Sequence, residues 1–333
     1  MRILIRTPNW LGDGVMLSPI FEVLKKKYQD ADFVFVGPKV VCDLYARDCR
    51  VKEIFIDTTK QSKNRFLATY HLAKQIGRCD IALTFANHFY SALLLFFTRS
   101  RVRIGYSGFL RFFLLNKIVK KVSLKHQVLS YAKLLESLQI EFKLDGLKLI
   151  CNPKKKDLKK SIGISTGAAF GASKIWYPEY FAQVIIYLLN NDYRVILFGS
   201  GIEAYNNQKI VENVQKEVSE KKLENLLDLS NKTSIQELVD WIGSVDLFLS
   251  NDSGPMHIAA ALKIPLVALF GATHPTYCLP WQYDNKIIIN KNLSCSPCQK
   301  KECPLGHHLC MKEIKPQEVI EAINQLLGEK NAN

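Results

Sequence analysis

Leu249-Ser250-Asn251-Asp252-Ser253-Gly254-Pro255-Met256-His257 is the stretch from which the fold of this chain can be read. An apolar run over 245–249 precedes the turn and a small-residue segment over 258–262 follows it, so the spacing predicts a buried parallel strand, a tight turn and a helix start. Asp252 or Ser253 is placed to cap the helix, Gly254 lets another group approach the backbone, and Pro255 suits the first helical turn. Unpaired amide N–H groups and the positive helix end then point at one spot, where an anion is stabilised. Capped strand-to-helix turns are also common structural devices, so the turn reads as a site only in company.

His257 one turn into the helix, a lysine loop at the matching point earlier in the same half and a Gly-Asp loop at the chain start provide that company. Residues 161–166 read as a strand running into Thr166-Gly167-Ala168-Ala169-Phe170-Gly171-Ala172-Ser173-Lys174, after which Phe181, Val184, Ile185 and Leu188 recur at helical spacing. Small residues let a backbone lie against a phosphate, and Lys174 adds a charge with three donors. The strand over 193–198 ends in Gly199-Ser200-Gly201, and strands over 226–229 and 266–270 complete a parallel sheet. The lysine loop lacks the full Walker pattern, and Gly199-Ser200-Gly201 is too short for a dinucleotide fingerprint. Thr166, Gly167, Lys174, Gly199, Asp252, Ser253, Gly254 and His257 together suit a diphosphate held without a dedicated metal.

The first half repeats the plan. A strand over 3–6 leads into Thr7-Pro8-Asn9-Trp10-Leu11-Gly12-Asp13-Gly14 and a helix over 16–28, with further strands over 32–36, 52–56, 80–85 and 102–106. Asp13 cannot help to bind a diphosphate, because like charges repel. It is either a cap near the helix start or a base, since a carboxyl titrating near ~3.9 is ionised in the cell and can accept a proton from an attacking hydroxyl. The polar loop over 58–65, with Lys60, Lys63 and Arg65, is either a solvated loop or part of a binding surface.

At 333 residues the chain fits two domains of about 150 residues. The boundary is expected in the Pro- and Lys-rich stretch over 152–160, giving domains 1–152 and 153–333, with an amphipathic closing helix over 316–327 and a frayed end over 329–333. A content of 48% hydrophobic and 23% charged residues is that of a globular protein. The apolar runs over 92–97 and 109–115 fall short of the roughly 20 residues of a bilayer span, and no secretory signal is read at the N-terminus. A net charge of +14 calls for an anionic partner, and without a nucleic-acid-binding signature none of nucleic acid type is expected. Residues 87–97 and 106–121 set Phe and Leu beside Arg99, Arg101, Arg103, Arg111, Lys117, Lys120 and Lys121, which suits an anionic bilayer surface as well as ordinary core packing. Nine cysteines, an odd number, indicate reduced thiols in the cytosol. Cys295, Cys298, Cys303 and Cys310 have irregular spacings, so free or reversibly oxidised thiols are expected there rather than a metal.

Pro8-Asn9-Trp10-Leu11-Gly12-Asp13, the run from Gly167 to Lys174, Asn251-Asp252-Ser253-Gly254-Pro255-Met256-His257-Ile258-Ala259-Ala260-Ala261-Leu262 and Cys295-Ser296-Pro297-Cys298 together resemble the family 9 glycosyltransferases, the lipopolysaccharide heptosyltransferases. The tryptophan before Gly12-Asp13 and the cysteine cluster are similar to the type II members. The resemblance implies an α/β GT-B architecture, two Rossmann-like doubly wound domains facing a central cleft. It also implies ADP-L-glycero-D-manno-heptose held by the C-terminal domain, a lipid A-linked inner-core acceptor held by the N-terminal one, and inversion with no required cofactor or metal. By position Asp13 would be the base and Lys174 the charge on the leaving phosphates, with Asp252, Ser253, Gly254 and His257 shaping the donor site and Lys60, Lys63 and Arg65 meeting the acidic acceptor. Such a protein would be cytoplasmic and peripheral on the inner face of the inner membrane. The chain departs from the family pattern at Trp176-Tyr177-Pro178, where relatives usually have Trp followed directly by Pro. Type I activity, another nucleotide-sugar donor, a nicotinamide enzyme and a non-catalytic basic binding protein are the alternatives. The last leaves Asp13 unexplained, and the nicotinamide reading lacks an acidic ribose ligand.

Overall fold

A computed structural model of the chain describes residues 1–121, 126–156 and 158–328. The expected frayed end over 329–333 and Asp157 of the linker lie outside the described residues. Two compact units divide the chain, Met1–Ile150 and Cys151–Asn333.

In the first unit, strands β1 (Arg2–Arg6), β2 (Asp32–Gly37), β3 (Val51–Ile56), β4 (Ile81–Thr84), β5 (Val102–Tyr106) and β6 (Lys117–Val119) form one parallel sheet in the order β3-β2-β1-β4-β5-β6. That is the doubly wound order, whose direction reverses between β1 and β4, and polar loops at the carboxyl ends of these two strands face a crevice. The helices are α1 (Leu11–Met16), α2 (Ser18–Lys27), α3 (Lys39–Cys42), α4 (Arg65–Ile76), α5 (Phe89–Phe97) and α6 (Gln127–Glu136). The helix expected over 16–28 is α2, and the separate short α1 precedes it, because Pro19 has no N–H for the Val15 carbonyl and the chain steps at Leu17. Phe21 of α2 packs edge-on against Phe33 and Phe35 of β2 and against Tyr45. Each such pair contributes about 0.5–1.5 kcal/mol beyond its buried area.

The second unit holds β7 (Ser161–Ser165), β8 (Arg194–Phe198), β9 (Leu226–Asp228), β10 (Leu247–Asn251), β11 (Leu266–Phe270) and β12 (Lys286–Asn290), all parallel in the order β12-β11-β10-β7-β8-β9. Counted from its own first strand this is the same doubly wound order, with the switch point between β7 and β10. Its helices are α7 (Pro178–Asn190), α8 (Ile202–Gln215), α9 (Glu220–Leu223), α10 (Ile235–Ile242), α11 (Gly254–Ala261), α12 (Pro275–Cys278), α13 (Leu309–Lys312) and α14 (Pro316–Leu327). Strand β10 runs two residues later than its apolar pattern, because its ladder with β11 continues to Asn251. The outer strands β6 and β12 are not among those expected from the sequence. The first has three residues, two of them exposed, amid lysines and shows no period, whereas Ile287-Ile288-Ile289 offers a signal for the second.

Candidate active site

In the first unit the loop after β1 carries Asn9 and Trp10, and α1 carries Asp13 in its first turn. Gly14 lets α1 lie against α3, since a Cβ there would stand 2.7 Å from a Val41 methyl, and the Tyr45 hydroxyl donates to the Gly14 carbonyl at 2.7 Å. Asp13 is thereby held half-buried, and its Oδ1 accepts the Tyr131 hydroxyl of α6 at 3.0 Å. Burial first, and the Asp13 charge next, push the Tyr131 pKa well up, so the phenol keeps its proton and donates.

A cavity of about 540 Å³ opens beside this loop, with Arg6, Asn9, Trp10, Asp57, Lys60, Gln61, Arg65 and His88 on its walls. Arg6 is buried and donates to Asn9 Oδ1 at 2.9 Å and to Asp57 Oδ2 at 3.1 Å. Burial lowers the Arg6 pKa while the Asp57 carboxylate opposes it. Burial alone would raise Asp57, but hydrogen bonds from Thr59 and the charge of Arg6 outweigh it and hold that carboxyl below the usual range. Arg65 lies 4.0 Å from the centroid of the Tyr90 ring, a cation–π contact that fixes its direction. Of the three basic residues predicted for an acceptor, Lys60 and Arg65 line the cavity, and Lys63 is exposed outside its lining.

His88 was not singled out in the sequence. Its Nδ1 accepts the Ser91 N–H at 3.2 Å, and burial together with the charges of Arg6 and Arg65 lowers its pKa to about 4. The unfolded chain, with His88 near ~6.5, binds the extra proton first, so the contribution is full above that pH and is lost as pH falls toward 4. Allowing for partial exposure, it is worth about 1 kcal/mol. Between pH 7 and pH 5 the wild-type unfolding midpoint should fall about 2–4 °C further than that of His88→Gln. Parallel scanning calorimetry curves would refute this.

In the second unit three loops meet at the switch point. Lys174, at the end of the short 3₁₀ turn Ala172–Lys174, places its Nζ 2.5 Å from Asp252 Oδ2 at the start of α11, and the Thr273 hydroxyl donates to the same oxygen. Cys278 Sγ lies 3.5 Å from that oxygen, and burial first and the carboxylate next push its thiol pKa up. Lys174 Nζ also stands 4.8 Å from the Phe170 ring centroid. Ser253 occupies the N-cap position of α11, yet its hydroxyl pairs with Ser250 Oγ at 3.0 Å and makes no capping bond; Pro255 sits in the first turn as expected. Gly254 is half-buried, and His257 is only 3% exposed within α11.

Asn251 ties the loops together without having been expected to. Its Nδ2 donates to the Thr166 carbonyl at 2.7 Å and its Oδ1 accepts the Trp176 N–H at 3.3 Å. The Thr166 hydroxyl donates to buried Asn207 Oδ1 at 2.5 Å, which fixes the loop after β7 against α8. Glu203, also unexpected, accepts the Ser200 N–H at 2.9 Å and lies against Gly167, where a Cβ would come within 2.0 Å of its carboxyl carbon.

The cysteine-rich segment braces these loops. Ser173 donates its N–H to the Lys301 carbonyl at 3.0 Å and its hydroxyl to that of Lys300 at 2.5 Å, and His308 Nε2 donates to the Ser173 carbonyl at 3.0 Å. On the other side the Ser296 hydroxyl donates to the Gly271 carbonyl at 2.5 Å and the Gln299 N–H to that of Ala272 at 2.8 Å. Cys295, Cys298, Cys303 and Cys310 line a small cavity with His307 and His308. Among the described residues no group of three or more His, Cys, Asp or Glu side chains is arranged to hold a metal ion.

Two Rossmann-like, doubly wound parallel domains make up the GT-B architecture, a fold that glycosyltransferases share with other enzymes, so the class rests on the site and on the relatives that follow. Residues 69–309 match glycosyltransferase family 9 (heptosyltransferase). Lipooligosaccharide heptosyltransferase 2 of Campylobacter jejuni is 35% identical over 333 residues, covering 98% of this chain and 99% of the relative. Lipopolysaccharide heptosyltransferase 2 of Escherichia coli K12 is 28% identical, with all of both chains covered. The solved structure of E. coli ADP-heptose LPS heptosyltransferase II superposes with a TM-score of 0.81 at 26% identity over 98% of each chain. The chain belongs to glycosyltransferase family 9, the heptosyltransferases.

Proposed function

We propose that the protein moves L-glycero-D-manno-heptose from ADP-heptose, with inversion, to a heptosyl-Kdo2-lipid A acceptor during assembly of the lipopolysaccharide core. The observation that carries this reading is the Lys174–Asp252 pair at the start of α11, in a chain that matches heptosyltransferase 2 relatives from end to end. In the reaction an acceptor hydroxyl attacks the anomeric carbon of the heptose and passes its proton to Asp13. The bond from that carbon to the β-phosphate oxygen breaks, and its electron pair leaves with ADP. Lys174 and the amides at the start of α11 stabilise the charge that develops on ADP, which removes the need for a metal. Glu203, beside the loop after β8, would accept hydrogen bonds from the ribose hydroxyls of the donor.

The residue 1–152 domain then holds the acceptor, with Lys60 and Arg65 meeting its acidic sugars, and the residue 153–333 domain holds the donor. A lipid-linked acceptor puts the enzyme at the inner face of the inner membrane as a peripheral cytoplasmic protein. The test is ADP release from ADP-heptose in the presence of a chelator, with heptosyl-Kdo2-lipid A and with the heptose-free acceptor side by side. Release with the heptosylated acceptor alone is expected. Release with the heptose-free acceptor would make the enzyme type I, release that needs added metal would overturn the metal-free mechanism, and no release with either acceptor would overturn the donor.

A further inference from the structure

Charge and apolarity are inverted in the loop that joins β5 to β6. Arg111 is 2% exposed, whereas its neighbours Phe109, Phe112 and Phe113 are 85%, 56% and 68% exposed. The guanidinium is held inside by carbonyls and a hydroxyl, donating to Tyr106 O at 2.9 Å, His88 O at 2.7 Å and Ser91 Oγ at 3.1 Å, with no carboxylate among these partners. Leu110 turns the chain with a φ of +57°, a conformation that side chains with a Cβ seldom adopt. A buried cation costs free energy, and exposed phenylalanines recover none of it in water, so the loop is built for a different environment.

The surroundings say which one. No aspartate or glutamate occurs between Asp80 and Glu136, while Arg99, Arg101, Lys117, Lys120 and Lys121 are all exposed there. The aromatic surface also extends across α5. Arg103 lies 5.7 Å from the ring centroid of half-exposed Phe96 and donates to the Leu114 carbonyl at 2.8 Å, linking α5 to the loop. Strand β6 is an edge strand, so this face of the first unit is not covered by a further strand of its sheet.

We propose that the β5–β6 loop is a membrane-docking wedge: Phe109, Phe112 and Phe113 enter the acyl boundary of an anionic phospholipid bilayer while the surrounding lysines and arginines lie on its headgroups. Aromatic tips beside a cationic rim match a bilayer chemically, since the apolar insertion and the attraction to anionic lipid add. The proposal names the surface that would bring the enzyme to the lipid-linked acceptor, and in that respect it rests on the function proposed above.

Flotation of the full chain with vesicles of phosphatidylcholine, with and without phosphatidylglycerol, tests it. The wild type should float with the anionic vesicles and be released by salt. Phe109→Ser/Phe112→Ser/Phe113→Ser should weaken binding at least tenfold, Lys117→Gln and Lys120→Gln roughly fivefold each, and Phe→Trp at the three positions should restore it. Unchanged thermal unfolding and unchanged turnover of a deacylated, water-soluble acceptor by the serine variant would show that fold and active site are intact. Equal flotation of wild type and serine variant, or binding indifferent to lipid charge, would overturn the wedge. So would a wild-type dimer in sedimentation that the serine variant dissolves, because the face would then be a contact between copies of the chain. Failure of the wild type to turn over the soluble acceptor would count against the proposed function and leave the flotation result to stand by itself.

Discussion

Asp13→Asn should abolish transfer, lowering kcat by about 10²–10⁴-fold, the range that a positioned general base supplies, while ADP-heptose affinity stays nearly unchanged. Asparagine has the same shape and its Oδ1 can still accept the Tyr131 hydroxyl that contacts Asp13 at 3.0 Å. The packing of Gly14 and Tyr45 that places α1 is untouched by the exchange. What disappears is the negative charge and the capacity to take a proton. Tyr131→Phe removes only the orienting hydrogen bond and should cost far less, leaving a base in place. The measurement is single-turnover transfer alongside calorimetric binding of ADP-heptose. A large loss of donor affinity in the asparagine variant would show that Asp13 belongs to the donor site and is not the base.

Lys174→Ala should be the other severe change, lowering kcat/KM by about 10²–10³-fold, comparable to losing one oxyanion-stabilising donor. Two effects act together. The leaving diphosphate loses a cation, and Asp252, only 4% exposed, is left as a carboxylate without the ammonium 2.5 Å away. An uncompensated buried charge is itself costly, about 3–5 kcal/mol where one partner of such a pair is removed. It would also repel the incoming donor. Lys174→Ala/Asp252→Asn should therefore bind ADP-heptose more tightly than Lys174→Ala alone, although it stays slow. Donor titrations of the two single variants and the double variant form the cycle that decides this. Strict additivity would mean that Asp252 does not depend on Lys174 for compensation.

Much of this architecture was legible from local pattern. The small-residue loops, the Asp252 turn and the Pro255 helix start announced a strand-loop-helix plan, and α14 begins and ends where its amphipathic spacing said it would. Short-range signals carry such information because backbone preference and side-chain period act within a few residues. The edge strand β6, with three residues and no period, left no such trace.

The sequence alone determined the fold class, the family and the chemistry available at each loop, because a Gly-rich turn, a lysine or an aspartate brings its properties to any position. Only the tertiary structure decided which of those groups meet. It paired Lys174 with Asp252 across 78 residues of chain, set Glu203 against Gly167, placed His88 beside Arg6, and gave the Thr166 hydroxyl to Asn207. It also put Arg111 inside and its phenylalanine neighbours outside, against their ordinary preferences. The reason is physical: the partners of a polar group are set by which strands lie side by side in the parallel sheets, and that order is a long-range property no single stretch of residues contains.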